Sequence, residues 1–245
     1  MHHHAPARLR AALTEAPLVV PGCHDPLSAR LAAQAGARAV FLSGGAVGRA
    51  LFDAPMIPRD GWDTYLRYLR LVCESSPVPV IVDGEDGFGD PVATCVAMAD
   101  AGAAGVIAGD GLPGGGLCDA GEFAAVIGRI RAATDVLFVA RADGLAGDRA
   151  GTRDRLRRYG EAGAELTLPL MNSVLRTETR GALLATVTEL AAAAKGTLAV
   201  HSRHGHELPP NDELPPDIRA VFVTAVSLPP STEPLERVLT RRPNR

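Results

Sequence analysis

The sequence lacks the features that mark several broad classes of protein. Its 25 basic and 28 acidic residues give a formal net charge of -3 with both signs interspersed, so no basic stripe is present for nucleic acid or for a membrane surface. No apolar run reaches the roughly 18 residues that a membrane-spanning helix needs. No low-complexity linker divides the 245 residues, so we expect one domain. These absences leave a small-molecule ligand as the expectation.

Cysteine is scarce, and its spacing suggests no paired function. The four cysteines form no Cys-x-x-Cys pair and follow no recognisable signal peptide; they are Cys23, Cys73, Cys95 and Cys118. We therefore expect reduced thiols in a cytoplasmic protein. Because residues 2–4 are three consecutive histidines, either native or an expression remnant, we expect residues 1–8 to be disordered or tag-like.

Eight short apolar runs predict β-strands, and segments with helical periodicity lie between most of them. The predicted strands are residues 18–21, 39–43, 78–83, 105–109, 136–141, 165–169, 197–201 and 219–224. Three helical segments end in Ala-Gly-Ala just before the next strand, and a glycine suits the left-handed position just past a helix. These glycines are Gly36, Gly102 and Gly163.

Short turns from helix to strand favour a parallel sheet. Eight such units in 245 residues predict an α/β fold, a single-domain (β/α)8 barrel of the TIM type spanning residues 1–245. The competing doubly wound sheet would carry a Gly-x-Gly-x-x-Gly turn after its first strand, and none stands there. Active sites in (β/α)8 barrels lie at the carboxyl ends of the strands, so residues that follow the predicted strands are the functional candidates.

The third predicted strand runs into an acidic turn. Asp83, Glu85 and Asp86 follow the apolar run, and Gly87 and Gly89 allow the backbone to bend. Carboxylates this close repel one another, so they need a divalent metal, basic neighbours or free solvation. The turn therefore predicts a site for a cation or a polar substrate, with a solvated acidic loop as the alternative.

Other strand ends are polar as well, and the barrel would bring them to the same mouth. The residues in question are His24 and Asp25, Ser43 to Gly45, Asp110, Arg141 and Asp143, and His201, Arg203, His204 and His206.

Five short motifs stand in order along the chain: Pro-Gly-Cys-His-Asp-Pro-Leu-Ser-Ala at 21–29, Phe-Leu-Ser-Gly-Gly at 41–45, Asp-Gly-Glu-Asp-Gly-Phe-Gly at 83–89, Val-Ala-Arg-Ala-Asp at 139–143 and Tyr-Gly-Glu-Ala-Gly-Ala at 159–164. Together they resemble the isocitrate lyase and phosphoenolpyruvate mutase superfamily. The third motif is the most specific, because it is similar to the Asp-x-Asp-x-Gly-[Tyr/Phe]-Gly of that superfamily. The likeness runs from about residue 18 to residue 169 and weakens afterwards.

The resemblance implies Mg2+, with Mn2+ as the alternative ion, and an enolate-like anion formed when a bond to carbon is made or broken. It implies a metal held by Asp83, Glu85 and Asp110, and a 2-oxo acid held by Ser43, Gly44, Gly45 and Arg141. A divalent metal and a guanidinium do offset charge that develops on oxygen. An ion pair with Asp83 or Glu85 is the alternative role for Arg141. The resemblance also implies a homo-oligomer, either a dimer or a tetramer.

Three departures from the superfamily pattern bear on activity. Glu85 stands where a second Asp is expected, and its longer arm would shift a bound ion. Gly109 stands where a Glu is expected before Asp110, so one carboxylate near the metal is missing. The loop at 111–119 lacks the Lys and His of the lyase motif, so Cys118 has no cationic neighbour to lower its pKa. Its glycines predict a flexible loop over the mouth.

Candidate catalytic residues are Arg141, His24, His201 and Cys118. His24 stands where the superfamily often has an aromatic residue, so it either contacts substrate or packs at the barrel rim. His201 opens a histidine-rich segment that suits substrate contact or, alternatively, a transition metal. Cys118 is either a proton donor or a small apolar filler.

The expected function is that of a Mg2+-dependent carbon–carbon lyase acting on a small 2-oxo or 2-hydroxy carboxylate through an enolate. Within the enzyme class, chemistry like that of a phosphonopyruvate mutase or hydrolase, or of an oxaloacetate decarboxylase, is the alternative. Gly109 and the glycine loop leave an alternative of another class, a barrel that binds a metabolite without turning it over.

Overall fold

The computed structural model of the chain describes residues 4–14, 17–144, 148–170, 180–202 and 214–223. Within these ranges helices and strands alternate. The strands are Leu18–Cys23 (β1), Val40–Leu42 (β2), Val80–Asp83 (β3), Gly105–Gly109 (β4), Leu137–Ala142 (β5), Leu166–Pro169 (β6), Ala199–Ser202 (β7) and Ala220–Val223 (β8). The helices are Ala5–Ala12 (α1), Pro26–Gln34 (α2), Gly44–Phe52 (α3), Trp62–Ser75 (α4), Pro91–Asp100 (α5), Ala120–Ala133 (α6), Arg149–Glu161 (α7) and Arg180–Ala194 (α8), and a 3-10 turn, Arg59–Gly61, precedes α4.

The strands form one parallel sheet in the order β6-β5-β4-β3-β2-β1-β8-β7. The two end strands also meet, because the Thr167 amide of β6 donates to the Thr197 carbonyl at 2.8 Å and Thr167 bridges to Leu198. The sheet is therefore a nearly closed barrel with helices around it, and the predicted (β/α)8 TIM-type fold is confirmed. Each observed strand overlaps a predicted run.

Local sequence signals start and stop the helices. The side chains of Asp25, Asp90, Asp119 and Asp148 accept hydrogen bonds from amides in the first turns of α2, α5, α6 and α7. These caps satisfy amides that have no partner within the helix. At the other ends the three Ala-Gly-Ala turns adopt the predicted left-handed conformation, with φ 96° at Gly36, 103° at Gly102 and 102° at Gly163.

Side chains alternate across the barrel wall, as the period of a β-strand requires. In β3, Ile81 belongs to the cluster inside the barrel, whereas Val80 and Val82 belong to the layer beneath the helices. Asp83 comes two residues after Ile81, so it returns to the inner side at the mouth. The same alternation places Arg141 two residues after the inward Val139 of β5.

Helix α1 closes the opposite, amino-terminal end of the barrel. Leu9 is fully buried within the inner cluster. The Arg10 Nε atom donates to Glu165 Oε1 at 2.5 Å, and Arg219 Nη2 donates to the Leu13 carbonyl at 2.9 Å. The expectation that residues 1–8 are disordered is therefore wrong for residues 5–8, which form the first turns of this helix because the apolar side of α1 is needed to cover the core.

The four cysteines are all free thiols, as expected, and three of them are buried. In the described ranges, no helix combines the length and the apolar character that crossing a lipid bilayer requires.

Candidate active site

The acidic turn after β3 is anchored from below by aromatic residues. Phe88 packs against Trp62 with ring centroids 4.8 Å apart. The Tyr65 hydroxyl donates to the Asp83 carbonyl at 2.8 Å. Glu85 has a φ of 52°, a left-handed conformation that a residue with a long side chain rarely adopts. The turn therefore holds the Glu85 side chain in place at a cost in backbone strain.

Asp83 and Glu85, which we call the carboxylate pair, direct oxygens to one point. The Glu85 amide donates to Asp83 Oδ1 at 3.0 Å. Glu85 is only 6% exposed, and its Oε1 has no hydrogen-bond partner among the described residues. A Cβ atom on Gly44 would lie 3.0 Å from Asp83 Oδ2 and closer still to Glu85 Oε1. Only glycine therefore fits at position 44, and the two oxygens converge on the space beside it.

The environment of Glu85 favours its protonated form. Burial raises the pKa of Glu85 to about 8, repulsion from Asp83 adds to this, and attraction to Arg141 offsets part of it. Without a bound cation, Glu85 therefore holds its proton at neutral pH, which lessens the repulsion within the carboxylate pair.

The amino terminus of α3 faces the carboxylate pair. The Ser43 hydroxyl caps this helix by accepting from the Ala46 amide at 3.4 Å, and Gly44 and Gly45 form the first turn. Amides at a helix amino terminus and the helix dipole both favour a bound anion. The structure thus brings Ser43, Gly44 and Gly45 to the mouth beside the carboxylate pair, and their contact with a substrate stays a prediction.

Arg141 is largely buried and surrounded by carboxylates. Its Nη1 lies 3.4 Å from Asp83 Oδ1, and its Nε and Nη2 donate to Asp143 at 2.6 and 3.2 Å. Burial alone would lower the pKa of Arg141, but Asp83 and Asp143 raise it above its ordinary value. The guanidinium is therefore charged at every physiological pH. The ion pair with Asp83 is present, and binding of a substrate by Arg141 stays a prediction.

Asp110 faces α7 and not the carboxylate pair. Its fully buried Oδ2 accepts from the Tyr159 hydroxyl at 2.5 Å and from Arg155 Nη1 at 2.8 Å, while its Oδ1 accepts from the Asp143 amide at 2.9 Å. In the part of the chain that the structure describes, no three His, Cys, Asp or Glu side chains are grouped so that they could hold a metal ion. Tyr159 and Arg155 thus engage Asp110 away from the carboxylate pair, and the metal site predicted from Asp83, Glu85 and Asp110 stays a prediction.

The two histidine candidates lie at the mouth, on β7 and just after β1, the two strands that flank β8. His24 follows β1, where its Nε2 is 3.5 Å from Asp25 Oδ2 and its buried Nδ1 has no partner within the described ranges. His201 lies on β7, two residues after the inward Ala199. The predicted contribution of Arg203, His204 and His206 falls outside the described residues.

Cys118 follows a hairpin where the sequence predicted a flexible loop. Gly111 and Leu117 form an antiparallel bridge, and the Leu112 amide donates to the Gly116 carbonyl at 3.0 Å. Three glycines allow this tight turn, at φ 85°, 101° and 88° for Gly114, Gly115 and Gly116. Burial and the neighbouring Glu122 raise the pKa of the Cys118 thiol, so it is protonated at neutral pH. Its role as a proton donor stays a prediction.

Sequence reasoning gave no role to the residues of α7. Arg155 and Tyr159 both bind Asp110, and Arg155 Nη1 also donates to the Tyr159 hydroxyl at 2.9 Å. Two signals were available. Tyr159 opens the motif at 159–164, and Arg155 stands four residues earlier, on the same face of the helix.

The carboxylate pair is suited to a divalent cation by its donor set. Mg2+ takes oxygen ligands and is commonly held by one or two carboxylates, with water or substrate oxygens completing its shell. Asp83 Oδ2 and Glu85 Oε1 supply two such oxygens at one place, and Oε1 is buried without a partner among the described residues. Because a buried carboxylate oxygen without a partner is costly, a cation beside Glu85 Oε1 would stabilise it.

The fold and this mouth define a (β/α)8 barrel with a cation-compatible acidic site at the carboxyl ends of its strands. The family described as phosphoenolpyruvate phosphomutase matches residues 9–231. The chain therefore belongs to this family, within the isocitrate lyase and phosphoenolpyruvate mutase superfamily of lyases and mutases.

Similar proteins include two lyases. The 2-methylisocitrate lyase of Escherichia coli (strain K12) is 34% identical over 188 residues, which are 69% of this chain and 63% of that protein. The 2-methylisocitrate lyase of Salmonella typhimurium (strain LT2) is 32% identical over 217 residues, 78% of this chain and 73% of that protein. The chain thus spans somewhat less than two thirds of the Escherichia coli relative.

A solved structure gives the same fold. The crystal structure of phosphonopyruvate hydrolase in complex with oxalate and Mg2+ superposes with a TM-score of 0.80 at 23% identity, covering 97% of this chain and 86% of that one. At this identity the likeness shows the barrel and not the reaction.

Proposed function

We propose that the protein is a Mg2+-dependent enzyme that makes or breaks a carbon–carbon bond of a small 2-oxo or 2-hydroxy carboxylate through an enolate, with Mn2+ as the alternative ion. The observation that carries the proposal is the buried Glu85 Oε1, which has no partner among the described residues and lies beside Asp83 Oδ2. Membership of a family of lyases and mutases supports the reaction class. The structurally similar phosphonopyruvate hydrolase binds oxalate and Mg2+, which supports a divalent cation and a small carboxylate as the ligands of this site.

Each part of the mouth has a proposed role. Asp83 and Glu85 would hold the cation, which would offset negative charge on the substrate oxygen. The amides of Gly44 and Gly45, with the Ser43 hydroxyl, would orient the substrate carboxylate at the start of α3. The charged Arg141, whose Nη1 faces Asp83, would stabilise the developing anion from the other side.

Proton transfer is assigned to the histidines rather than to Cys118. His24 offers an Nδ1 atom that makes no hydrogen bond within the described ranges, and His201 lies on the inner side of β7. An imidazole nitrogen can donate or accept a proton. Cys118 Sγ lies 3.8 Å from Glu122 Oε2 on α6, a contact that supports its alternative role as a filler.

Calorimetric titration of the purified protein with oxalate, which resembles a pyruvate enolate, tests the proposal. Binding should require Mg2+, disappear with a chelator, and be lost in the Asp83→Asn and Glu85→Gln variants. The matched control is Asp90→Asn, which removes a carboxylate from the same turn but keeps a side chain that can cap α5. The proposal would be refuted if oxalate or pyruvate bound with the same affinity with and without Mg2+ in every variant.

One observation favours a binding protein without turnover as the second candidate. The Nε and Nη2 atoms of Arg141 are both taken by Asp143, so the guanidinium offers less to a substrate than an unpaired one. Mg2+-dependent oxalate binding combined with no product from a panel of small 2-hydroxy acids would favour this candidate. The proposal also includes a cytoplasmic homo-oligomer, a dimer or tetramer, which light scattering of the purified chain would test.

A further inference from the structure

Asp143 determines which edge of Arg141 faces the carboxylate pair. It accepts from Nε through Oδ1 at 2.6 Å and from Nη2 through Oδ2 at 3.2 Å, a two-point contact that matches the guanidinium fork. Only Nη1 reaches toward Asp83, at a long 3.4 Å. The Nε–Nη2 edge of Arg141 is therefore engaged by the Asp143 carboxylate, and beyond it Nη2 makes only a long contact of 3.4 Å with the Glu85 carbonyl.

The Arg141–Asp143 pair occupies the space above Gly109. Gly109 is the strand partner of Arg141 across β4 and β5. A Cβ atom at position 109 would lie 2.7 Å from Arg141 Nη2, 3.0 Å from its Nε and closer still to Asp143 Oδ2. The ion pair thus lies where the Glu expected from the superfamily pattern would begin. The Arg141–Asp143 ion pair therefore requires a residue without a side chain at position 109.

Asp143 is itself held in place. Its amide donates to Asp110 Oδ1 at 2.9 Å, and its Oδ2 accepts from the Gly111 amide at 3.2 Å. Asp110 is fully buried and bound to Arg155 at 2.8 Å. The orientation of Asp143 therefore rests on the buried network of α7, and the ion pair is fixed before any ligand arrives.

We propose that Asp143 is a positioning residue that keeps the Nε–Nη2 edge of Arg141 engaged, so that Arg141 meets the carboxylate pair only through its Nη1 contact with Asp83 Oδ1 and leaves Asp83 Oδ2 and Glu85 Oε1 for a divalent cation. The inference rests on the proposed function in one respect, that the site takes such a cation. Without Asp143 the Nε and Nη2 donors of Arg141 would lose their carboxylate, and because buried donors without a partner are costly they would turn to Asp83 and Glu85, the carboxylates that Arg141 already faces. Arg141 would then compete with the cation for Asp83 and Glu85.

Binding of Mn2+, followed by electron paramagnetic resonance without substrate, tests this inference. Asp143→Asn should weaken Mn2+ binding at least about tenfold, the scale seen when a partner of a metal ligand is lost. Adding Arg141→Gln should restore affinity to within about threefold of the unsubstituted chain, because the competitor is gone. Asp86→Asn is the matched control, since the ion pair that Asp86 forms within the described ranges is with Arg59, at 2.6 Å in the same mouth, and not with Arg141.

The outcomes separate a positioning role of Asp143 from a general effect of charge and from the absence of a cation site. Equal weakening by Asp143→Asn and Asp86→Asn would mean that only total charge matters, and would overturn the inference. If Asp143→Asn alone fails to fold, the comparison of Arg141→Gln with the double variant decides, because equal Mn2+ affinities support the inference and a further loss in the double variant overturns it. An unsubstituted chain that binds no Mn2+ would refute the proposed function instead.

Discussion

Replacing Glu85 by Gln should stabilise the cation-free protein at pH 7 but not at pH 5. The pKa of Glu85 is raised from 4.5 to about 8, because burial and Asp83 disfavour its charged form. Above pH 4.5 the unfolded chain loses a proton that the folded chain keeps, so the unfolded state binds fewer protons. Stability therefore falls as pH rises through this window and levels off above about pH 8.

The size of the effect follows from the same values. Each pH unit within the window costs about 1.4 kcal/mol, so between pH 5 and pH 7 the Glu85 carboxyl costs the folded state about 3 kcal/mol. Glu85 is only 6% exposed, so solvent screens little of this cost. Gln has nearly the same shape and no charge, so the free energy of unfolding of the variant should not show this fall between pH 5 and pH 7.

Urea unfolding in the presence of a chelator, at pH 5 and at pH 7, measures the difference. Subtracting one protein from the other at each pH removes the contribution of titrating groups that do not interact with Glu85. The variant should gain about 3 kcal/mol on the unsubstituted chain between the two pH values, and excess Mg2+ should reverse the gain by binding only intact Glu85. A stability difference that does not change with pH would refute the raised pKa and the reasoning built on it.

Three further predictions concern space in the barrel. Gly44→Ala should abolish Mg2+-dependent oxalate binding in calorimetry without changing the circular dichroism spectrum, because its Cβ would displace Glu85 Oε1. Gly109→Glu should gain no turnover and should lose at least about 1 kcal/mol of stability in urea, because it overpacks against Arg141. A stable, active variant would contradict this. Leu9→Ala should lower the free energy of unfolding by about 2–5 kcal/mol, since Leu9 is fully buried; a change below about 1 kcal/mol would show that α1 does not close the core.

The barrel was predictable because its signals are local. A strand such as β4, residues 105–109, is an apolar run next to an Ala-Gly-Ala turn, and both signals can be read without knowing any partner. Helix α1 was not predicted, since its contacts lie far away in sequence. Arg10 reaches Glu165, and nothing near residue 10 indicates that partner.

The candidate site was predictable to the strand end but not to the direction of each side chain. Asp110 shows the difference. It follows Gly109, which lies two residues after the inward Ile107, so alternation turns Asp110 outward to Tyr159. The same rule puts Arg141 and Asp143 on one side of β5, which makes their pairing understandable. Motif order alone carries no information of this kind, and it grouped Asp110 with Asp83.

The closure of the barrel by α1 has a consequence for biosynthesis. This helix is synthesised well before the residues that hold it. Arg10 binds Glu165, which follows 155 positions later, and Leu13 accepts from Arg219, which follows 206 positions later. Leu9 must therefore stay uncovered while most of the chain is still being synthesised. In this period the apolar side of α1 would be exposed, and exposed apolar surface favours aggregation of a nascent chain.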